Sequence, residues 1–263
     1  MKELEIGWFS TGREAAIDLL KTVQETIRRG EIKAGIKFVF SNREIGESQI
    51  TDQFLIFANH DEGFPLEFLS SKKFRPDLKV EDLEKWRRKY YLEVIRQIKI
   101  FFPVDLMVLA GYMLIVSEEL CQRYKMINLH PAAPGGPKGT WQEVIWQLIG
   151  SRAEESGVMM HLVTPELDVG PPVTYCTFSI RDDLNESLWV GAEKDYSYRE
   201  TLFRNIRDRG IPREPLLIIA TLKAFSDGKI KIKEGKIVNA EGQVLTGGYD
   251  LTIEIDAAIK EKF

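Results

Sequence analysis

Cysteine and histidine are scarce in this sequence. Among its 263 residues there are two cysteines, Cys121 and Cys176, and three histidines. Two cysteines so far apart provide neither a disulfide framework nor the paired ligand spacing of a structural zinc site. We therefore expect no metal centre, and we interpret both thiols as buried apolar side chains.

Long apolar runs are also absent. No run approaches the ~20 residues that a bilayer-spanning helix needs. The amino terminus reads MKELEIGWF, without the basic stretch and apolar core of an export signal. The net charge of -4 gives no broad positive surface for nucleic acid. The sequence thus predicts a cytoplasmic protein that works without a membrane and without nucleic acid.

The sequence does contain an alternation of apolar runs and helical patterns. Hydrophobic content of 44% and charged content of 29% are those of an ordinary globular protein. The alternation is typical of an α/β fold with an open, mainly parallel twisted sheet and helices on both faces. A long amphipathic helix is expected at 80–102, and a capping-box pattern at 140–143 opens another helix. The predicted strands cover residues 4–9, 36–40, 53–58, 106–110, 126–129, 157–163 and 173–180.

The character of the sequence changes near residue 181. Polar and turn-forming residues follow, then a broken helical stretch, then two short strand-like pieces at 229–233 and 236–239. We therefore predict a catalytic domain of residues 1–180. The remainder, residues 181–263, is predicted to be a C-terminal α+β extension that packs on or beside that core.

One histidine stands in an unusual place. Asn128 and His130 lie where an apolar strand breaks into a loop rich in proline and glycine, and Asp168 lies in the turn between two later strands. Open α/β sheets bind ligands beyond the carboxyl ends of their strands. An amide donor for an oxyanion, an imidazole that moves a proton and a carboxylate that tunes the imidazole suit acyl transfer. These three residues are the predicted catalytic site. His60 is interpreted as a loop residue, and for His161 a structural role and a role beside the site are equally open.

Four separated motifs give the chain a resemblance to a known family. They read VFSNR at 39–43, VLAGYM at 108–113, NLHP at 128–131 and HLVTPELDVG at 161–170. In this order and approximate spacing they make the chain similar to the folate-dependent formyltransferases, over roughly residues 4–180. The Asn-x-His pair alone is a weak signal, whereas the agreement of four motifs is specific.

The resemblance implies transfer of a formyl group from the co-substrate 10-formyltetrahydrofolate to a small-molecule amine. Attack of an amine on the formyl carbon creates an oxyanion and leaves a surplus proton on nitrogen. By resemblance, Asn128 would donate to the oxyanion, and His130 would stabilise the same oxygen and assist the proton transfer. Asp168 would favour the charged form of the imidazole.

The resemblance also implies which residues bind the two substrates. The acceptor is expected beside the turn formed by Ser10, Thr11, Gly12 and Arg13. Family members that act on a ribose phosphate carry a Gly-x-Gly-Ser-Asn turn there, which this chain lacks, and its loop 131–139 is shorter and has smaller side chains. Both departures concern the acceptor rather than formyl transfer itself. The pterin of the folate is expected to contact Met113, Leu114, Ile115, Val116, Val163, Thr164 and Leu167, chiefly through backbone groups.

These departures leave several activities open. Phosphoribosylglycinamide, in purine biosynthesis, is the first expected acceptor, and an amino sugar carried on a nucleotide is the second. A formyltetrahydrofolate hydrolase would use the same three residues with water, and a folate-binding module without turnover is the alternative outside enzymes. A tRNA formyltransferase is disfavoured, because its tRNA-binding part should be basic. A homodimer is left open as well.

Overall fold

The computed structural model describes residues 3–182, 186–193 and 195–262. A π-helical turn, Phe57–Asp61, follows the helix Gln49–Ile56, and a 3₁₀ turn, Lys99–Phe101, follows the helix Leu83–Ile98. The strands are β1 (Leu4–Ser10), β2 (Ala34–Ser41), β3 (Leu66–Phe68), β4 (Leu106–Leu109), β5 (Met126–His130), β6 (Glu155–Leu162), β7 (Pro172–Ser179), β8 (Ile230–Lys233), β9 (Lys236–Asn239) and β10 (Tyr249–Asp250). The α-helices are α1 (Ala16–Arg28), α2 (Gln49–Ile56), α3 (Pro76–Glu81), α4 (Leu83–Ile98), α5 (Glu118–Arg123), α6 (Trp141–Gly150), α7 (Glu186–Gly191), α8 (Tyr196–Gly210), α9 (Arg213–Ser226) and α10 (Thr252–Lys262).

One sheet organises the described residues. Its strand order is β10-β7-β6-β5-β4-β1-β2-β3. Strand β6 runs antiparallel to β5 and β7, whereas the other neighbouring strands pair in parallel. The expected mainly parallel α/β sheet is therefore confirmed. Because β1, β2, β3, β4 and β5 are parallel, their carboxyl ends form one rim of the sheet, where such folds bind ligands.

Helices cover both faces of this sheet. Ile6 and Trp8 of β1 pack into the larger core with α1, α6 and α9. Phe9, on the opposite face of the same strand, packs into the smaller core with α4 and α5. Successive side chains of a strand point to opposite faces, so an uninterrupted apolar run fits a strand that is buried on both sides. The helix expected at 80–102 is confirmed over most of its length as α4 and the 3₁₀ turn after it.

One predicted strand is wrong. Residues 53–58 form the end of α2 and the start of the π-helical turn. Phe54, Leu55 and Ala58 are buried while Ile56 is 52% exposed. This is the spacing of three to four residues that a helix produces, not the alternation of a strand. The strand in this part of the chain is β3, which lies at the edge of the sheet beside β2.

Residues beyond 180 complete the sheet. Strand β10 pairs with β7, and α9 packs against β6 and β7. Leu217 of α9 and Ile255 of α10 belong to the same core as β1, so residues on both sides of the predicted boundary share one core. The two strand-like pieces form the β8–β9 hairpin, as expected. Within the described ranges, none of the helices combines the length and the apolar character needed to cross a membrane.

Candidate active site

The carboxyl end of β5 carries two of the predicted catalytic side chains. Asn128 pairs with Leu109 of β4 on one side and with His161 of β6 on the other. Because side chains alternate along a strand, Asn128 and His130 point to the same face of the sheet. His130 is only 2% exposed, and Asn128 is half-buried. The amide and the imidazole therefore lie side by side at the rim.

Both ring nitrogens of His130 have polar neighbours. Nε2 lies 2.9 Å from the carbonyl oxygen of Pro137, and Nδ1 lies 3.6 Å from Oδ2 of Asp168. A carbonyl oxygen only accepts hydrogen bonds, so the proton of the neutral ring is on Nε2. Nδ1 is then the nitrogen with the lone pair, and it faces the carboxylate.

Burial decides the charge of His130. Loss of hydration lowers the pKa of the imidazole, and this outweighs the Pro137 carbonyl and the Asp168 carboxylate, which both raise it. The pKa of His130 therefore lies below its ordinary value, and the ring is neutral at pH 7. The Asp168 carboxylate thus acts in the direction that the resemblance implies, toward the charged ring, but burial outweighs it. A carboxylate at 3.6 Å does not replace the hydration that burial removes.

Asp168 reaches the pair from the loop between β6 and β7, where its backbone is left-handed, with a φ of 51°. Its carboxylate accepts a hydrogen bond from the N–H of Gly139 at 3.2 Å and lies 3.4 Å from Nε2 of His161. Burial alone would raise the pKa of this carboxyl group, but its contacts with His161, the His130 ring and the Gly139 N–H together hold the pKa below its ordinary value. Asp168 is therefore ionised at neutral pH.

The position of Asp168 depends on Gly170, where two backbone segments pass very close together. A Cβ atom at Gly170 would lie 1.7 Å from the carbonyl oxygen of Leu162. The N–H of Leu162 in turn donates to the carbonyl of Pro171 at 2.9 Å. This close approach folds the loop back onto the end of β6 and carries Asp168 toward His130.

His161 is the residue whose part in the site the sequence left open. Its Nδ1 lies 2.8 Å from the carbonyl oxygen of Leu162, and its Nε2 lies 3.1 Å from Nδ2 of Asn128. His161 thus connects Asn128 with Asp168. The signal that finds it is the register of β5 and β6, which sets Asn128 opposite His161. The side chain of His60, by contrast, is 85% exposed.

In the turn after β1, the polar side chain of Thr11 already has hydrogen-bond partners within the protein. The Thr11 hydroxyl donates to Oδ1 of Asn42 at 2.6 Å and accepts from the N–H of Met113 at 2.9 Å. The Asn42 amide then donates to the Ser71 hydroxyl at 3.4 Å. This row of groups joins the segments that follow β4, β1, β2 and β3.

The other three residues expected at the acceptor lie beside Thr11. Gly12 adopts a φ of +69°, and its N–H donates to the Ser10 hydroxyl at 3.2 Å. Ser10 is buried and Arg13 is exposed. Arg13 is therefore the one member of this turn that presents an exposed charged side chain, and acceptor binding by the four residues stays a prediction.

The residues expected to bind the pterin follow the ends of β4 and β6 and fall into two groups. Met113 and Leu167 expose large apolar side chains, and so does the neighbouring Val169. A flat heterocycle can cover apolar side chains of this kind, because burying them removes apolar surface from water. These residues therefore fit the predicted pocket, which no contact in the structure tests.

The second group is more deeply set. Val116 is buried, and Leu114 and Val163 pack against the smaller core; Ile115 is half-buried. The hydroxyl of Thr164 donates to the carbonyl oxygen two residues later at 3.0 Å. These residues shape the wall of the rim. In the part of the chain that the structure describes, no group of three or more His, Cys, Asp or Glu side chains is placed to hold a metal ion.

Comparison with known proteins places these features in a family context. Residues 18–188 match the model of a family described as formyl transferase. Phosphoribosylglycinamide formyltransferase of Escherichia coli (strain K12) is 25% identical over 217 residues, which are 82% of this chain and 85% of that protein. The protein of the same name from Haemophilus influenzae is 26% identical over 235 residues, 88% of this chain and 92% of its own.

Solved structures agree with the fold. Phosphoribosylglycinamide formyltransferase from Coxiella burnetii superposes with a TM-score of 0.69 at 20% identity and covers 95% of this chain and 99% of its own. A formyltetrahydrofolate deformylase from Pseudomonas syringae pv. tomato gives a TM-score of 0.61 at 20% identity, over 91% of this chain and 66% of its own. Proteins named for two different activities thus share this architecture.

Proposed function

The chain belongs to the formyl transferase family, and on that premise we propose that it transfers a formyl group from 10-formyltetrahydrofolate to a primary amine. The observation that carries the proposal is the convergence of three side chains. Asn128 and His130 stand on one face of β5, and Asp168 lies 3.6 Å from His130. This is the set that acyl transfer to an amine needs, and it lies at the carboxyl rim of the sheet.

Each side chain has a distinct part in the proposed reaction. The acceptor nitrogen forms a bond to the formyl carbon, and the bond from that carbon to N10 of the folate breaks. Asn128 donates an N–H to the oxygen that gains negative charge between these events. The lone pair on Nδ1 of His130 takes the surplus proton of the amine and returns it to the departing nitrogen. Asp168, ionised beside it, stabilises the charged ring during this interval.

The exposed apolar side chains near the triad support the folate as formyl donor. Met113 and Leu167 project large apolar groups into solvent, and backbone groups around them offer donors and acceptors. A bound folate would supply the activated formyl group, while these residues would orient its pterin and exclude water from Asn128. Exclusion of water favours transfer to an amine over loss of the formyl group as formate.

For the acceptor, we propose phosphoribosylglycinamide as the first compound to test. Its support is the name shared by the two curated relatives described above. This chain differs from family members with a Gly-x-Gly-Ser-Asn turn in two ways. The Thr11 hydroxyl in its turn is already hydrogen-bonded to Asn42, and Arg13 is exposed. An amine with a different anionic group, such as a nucleotide-linked amino sugar, is therefore the second acceptor to test.

Hydrolysis of the same folate is a second candidate, favoured by the likeness to a solved deformylase. Water would replace the amine as nucleophile, and formate would replace the formylated product. Asn128, His130 and Asp168 would keep the same parts. The two activities differ only in what occupies the space next to the formyl carbon, so one experiment can separate them.

The experiment incubates the full chain with 10-formyltetrahydrofolate in three reactions, which contain phosphoribosylglycinamide, a nucleotide-linked amino sugar or no amine. Tetrahydrofolate release is followed by absorbance, and formylated acceptor and formate are measured by mass spectrometry and an enzymatic formate assay. The expected result is a formylated amine with little formate. His130→Gln should lose the activity and His60→Gln should retain it.

Three other results would be decisive against this proposal. Equal formate release with and without amine would assign the hydrolase. Folate binding without any turnover would assign a binding module and overturn transfer. Full activity of His130→Gln would leave the reaction in place and overturn the assignment of the site.

A further inference from the structure

His161 contacts two of the three proposed catalytic side chains through a single nitrogen. Its Nδ1 lies 2.8 Å from the carbonyl oxygen of Leu162. Because that oxygen can only accept, Nδ1 carries a proton in every state of the ring. Nε2 is therefore the nitrogen that can offer a lone pair to a donor.

Two groups compete for Nε2. Nδ2 of Asn128 lies 3.1 Å away, and Oδ1 of Asp168 lies 3.4 Å away. A neutral ring accepts a hydrogen bond from the Asn128 amide, whereas a charged ring donates to Asp168. The other titratable ring that faces His161 is His130, in an edge-to-face arrangement with 6.1 Å between ring centroids. The shorter contact is the one to Asn128, whose amide nitrogen can only donate, so Nε2 accepts from it.

We propose that His161 is a positioning residue for formyl transfer, holding the Asn128 amide with its nitrogen, not its oxygen, available as the donor. One N–H of the amide is bound by Nε2 of His161, and the second N–H remains for the formyl oxygen. This inference rests on the proposed function, because it takes Asn128 as the oxyanion donor. His161 acts on the reaction through Asn128 and Asp168 and does not itself contact the substrates.

The chemical need for such a residue follows from the symmetry of an amide. Rotation of the Asn128 side chain by half a turn exchanges the NH₂ group for the oxygen, with almost no change in shape. The rotated side chain would present an acceptor to an oxygen that becomes negative, which raises the barrier instead of lowering it. Donors that are fixed before the reaction need no reorganisation during it.

Two substitutions separate this role from a merely structural one. In His161→Asn, the new amide reaches the position of Nδ1 and can keep the bond to Leu162, but it leaves the position of Nε2 empty. In His161→Gln, the longer amide reaches the position of Nε2 and can accept from Asn128. His60→Gln, at an exposed site, is the matched control.

We expect kcat of His161→Asn to fall by roughly 10- to 100-fold, less than the ~10²–10³ that loss of an oxyanion donor costs. KM for the folate should change little, because the pocket is untouched. His161→Gln should recover most of the lost kcat, and His60→Gln should match the wild type. Equal kcat in the Asn and Gln variants, or better activity in the Asn variant, would overturn the proposal.

A second measurement keeps this inference apart from the proposed function. Nitrogen-15 spectra of the imidazole rings, read on the full chain without substrates, report which ring nitrogen carries a proton. Of the three histidines, His161 is assigned by the loss of its signals in His161→Asn and His60 by their loss in His60→Gln, which leaves His130. The proposal expects a proton on Nδ1 of His161 and a lone pair on Nε2 at neutral pH, and a proton on Nε2 there would contradict it. If the wild type performs no formyl transfer at all, the proposed function fails whatever the spectrum shows.

Discussion

At the end of β5, ionised and titratable groups lie 3.4 to 3.6 Å apart, whereas at the ends of β1, β2 and β3 neutral groups bind one another. We call the first set, Asn128, His130, His161 and Asp168, the reactive half of the rim. The second set, Thr11, Asn42, Ser71 and the N–H of Met113, is the neutral half. The side chains of both halves are buried or half-buried at the same sheet edge, apart from that of Met113, which is exposed.

The difference lies in what each group can still do. In the neutral half the Thr11 hydroxyl both donates and accepts, so its hydrogen-bonding partners are already in place. In the reaction proposed for the reactive half, the lone pair of His130 and the second N–H of Asn128 act on the substrates. In a rim of this kind, the groups that stabilise the fold are different from the groups proposed to react. The neutral half fixes the ends of the strands, and the reactive half carries the proposed proton transfer.

The largest effect should come from removing the base of the reactive half. His130→Ala should lower kcat by about 10³-fold, within the 10²–10⁴ that positioned acid–base groups contribute. Steady-state kinetics on the folded variant measure this, with His60→Ala as control. A rate near that of the wild type would show that another group transfers the proton, and it would contradict the proposed difference between the reactive and the neutral half.

A smaller loss should follow from displacing the carboxylate without altering any ionisable group. In Gly170→Ala, the new Cβ would meet the Leu162 carbonyl at 1.7 Å, so the loop must shift and carry Asp168 with it. We expect kcat to fall by about 10²-fold, as a misplacement near 1 Å can cost. Gly150→Ala is the matched control, because a Cβ there meets no atom within 4 Å. If both variants keep the wild-type rate, the placement of Asp168 does not matter.

A third prediction concerns pH. The Asp168 carboxylate raises the pKa of His130 against the effect of burial. Asp168→Asn removes that charge, so the pKa of His130 should fall further. The acid limb of the kcat/KM profile, where the ring gains a proton and stops acting as a base, should move to lower pH. A limb that moves to higher pH, or does not move, would show that His130 does not titrate in this limb.

The smallest effect on rate should come from the neutral half. Thr11→Val removes a hydroxyl that serves Asn42 and Met113 at once. The free energy of unfolding should fall by about 1–3 kcal/mol, because buried polar groups lose their partners, while kcat should fall less than in Gly170→Ala. Denaturant unfolding and kinetics measure both, with Thr11→Ser as the control that keeps the hydroxyl. If Thr11→Val lowered kcat as much as His130→Ala, the neutral half would also contribute to the reaction, which would contradict the proposed difference between the two halves.

Sequence patterns predicted the parts of this fold that depend on local order. The capping box at Thr140 is present: the Thr140 side chain accepts from the N–H of Glu143, and the Glu143 side chain accepts from the N–H of Thr140. Both strands around Asp168 lie close to their predicted ranges. The strand predicted at 53–58 was wrong, because a short apolar run is compatible with a buried strand and with a buried helix equally. Local patterns do not say which face is covered.

Tertiary contacts account for what the sequence could not supply. The contact between Asn128 and His161 follows from strand register, and a shift of one residue would turn His161 to the other face. The low pKa of His130 follows from the depth of its burial, which no spacing of residues encodes. The Thr11–Asn42–Ser71 row joins residues from three strand ends that are distant in sequence.

The loop 131–139 is attached at both ends to the same acid–base pair. The carbonyl of Pro137 accepts from His130, and the N–H of Gly139 donates to Asp168. Loop position and proton position are therefore thermodynamically linked, and the linkage is reciprocal. A ligand that draws the loop away from His130 also changes the affinity of the ring for its proton, and a change in protonation alters the cost of moving the loop. A substrate that displaces this loop would therefore also change the pKa of His130.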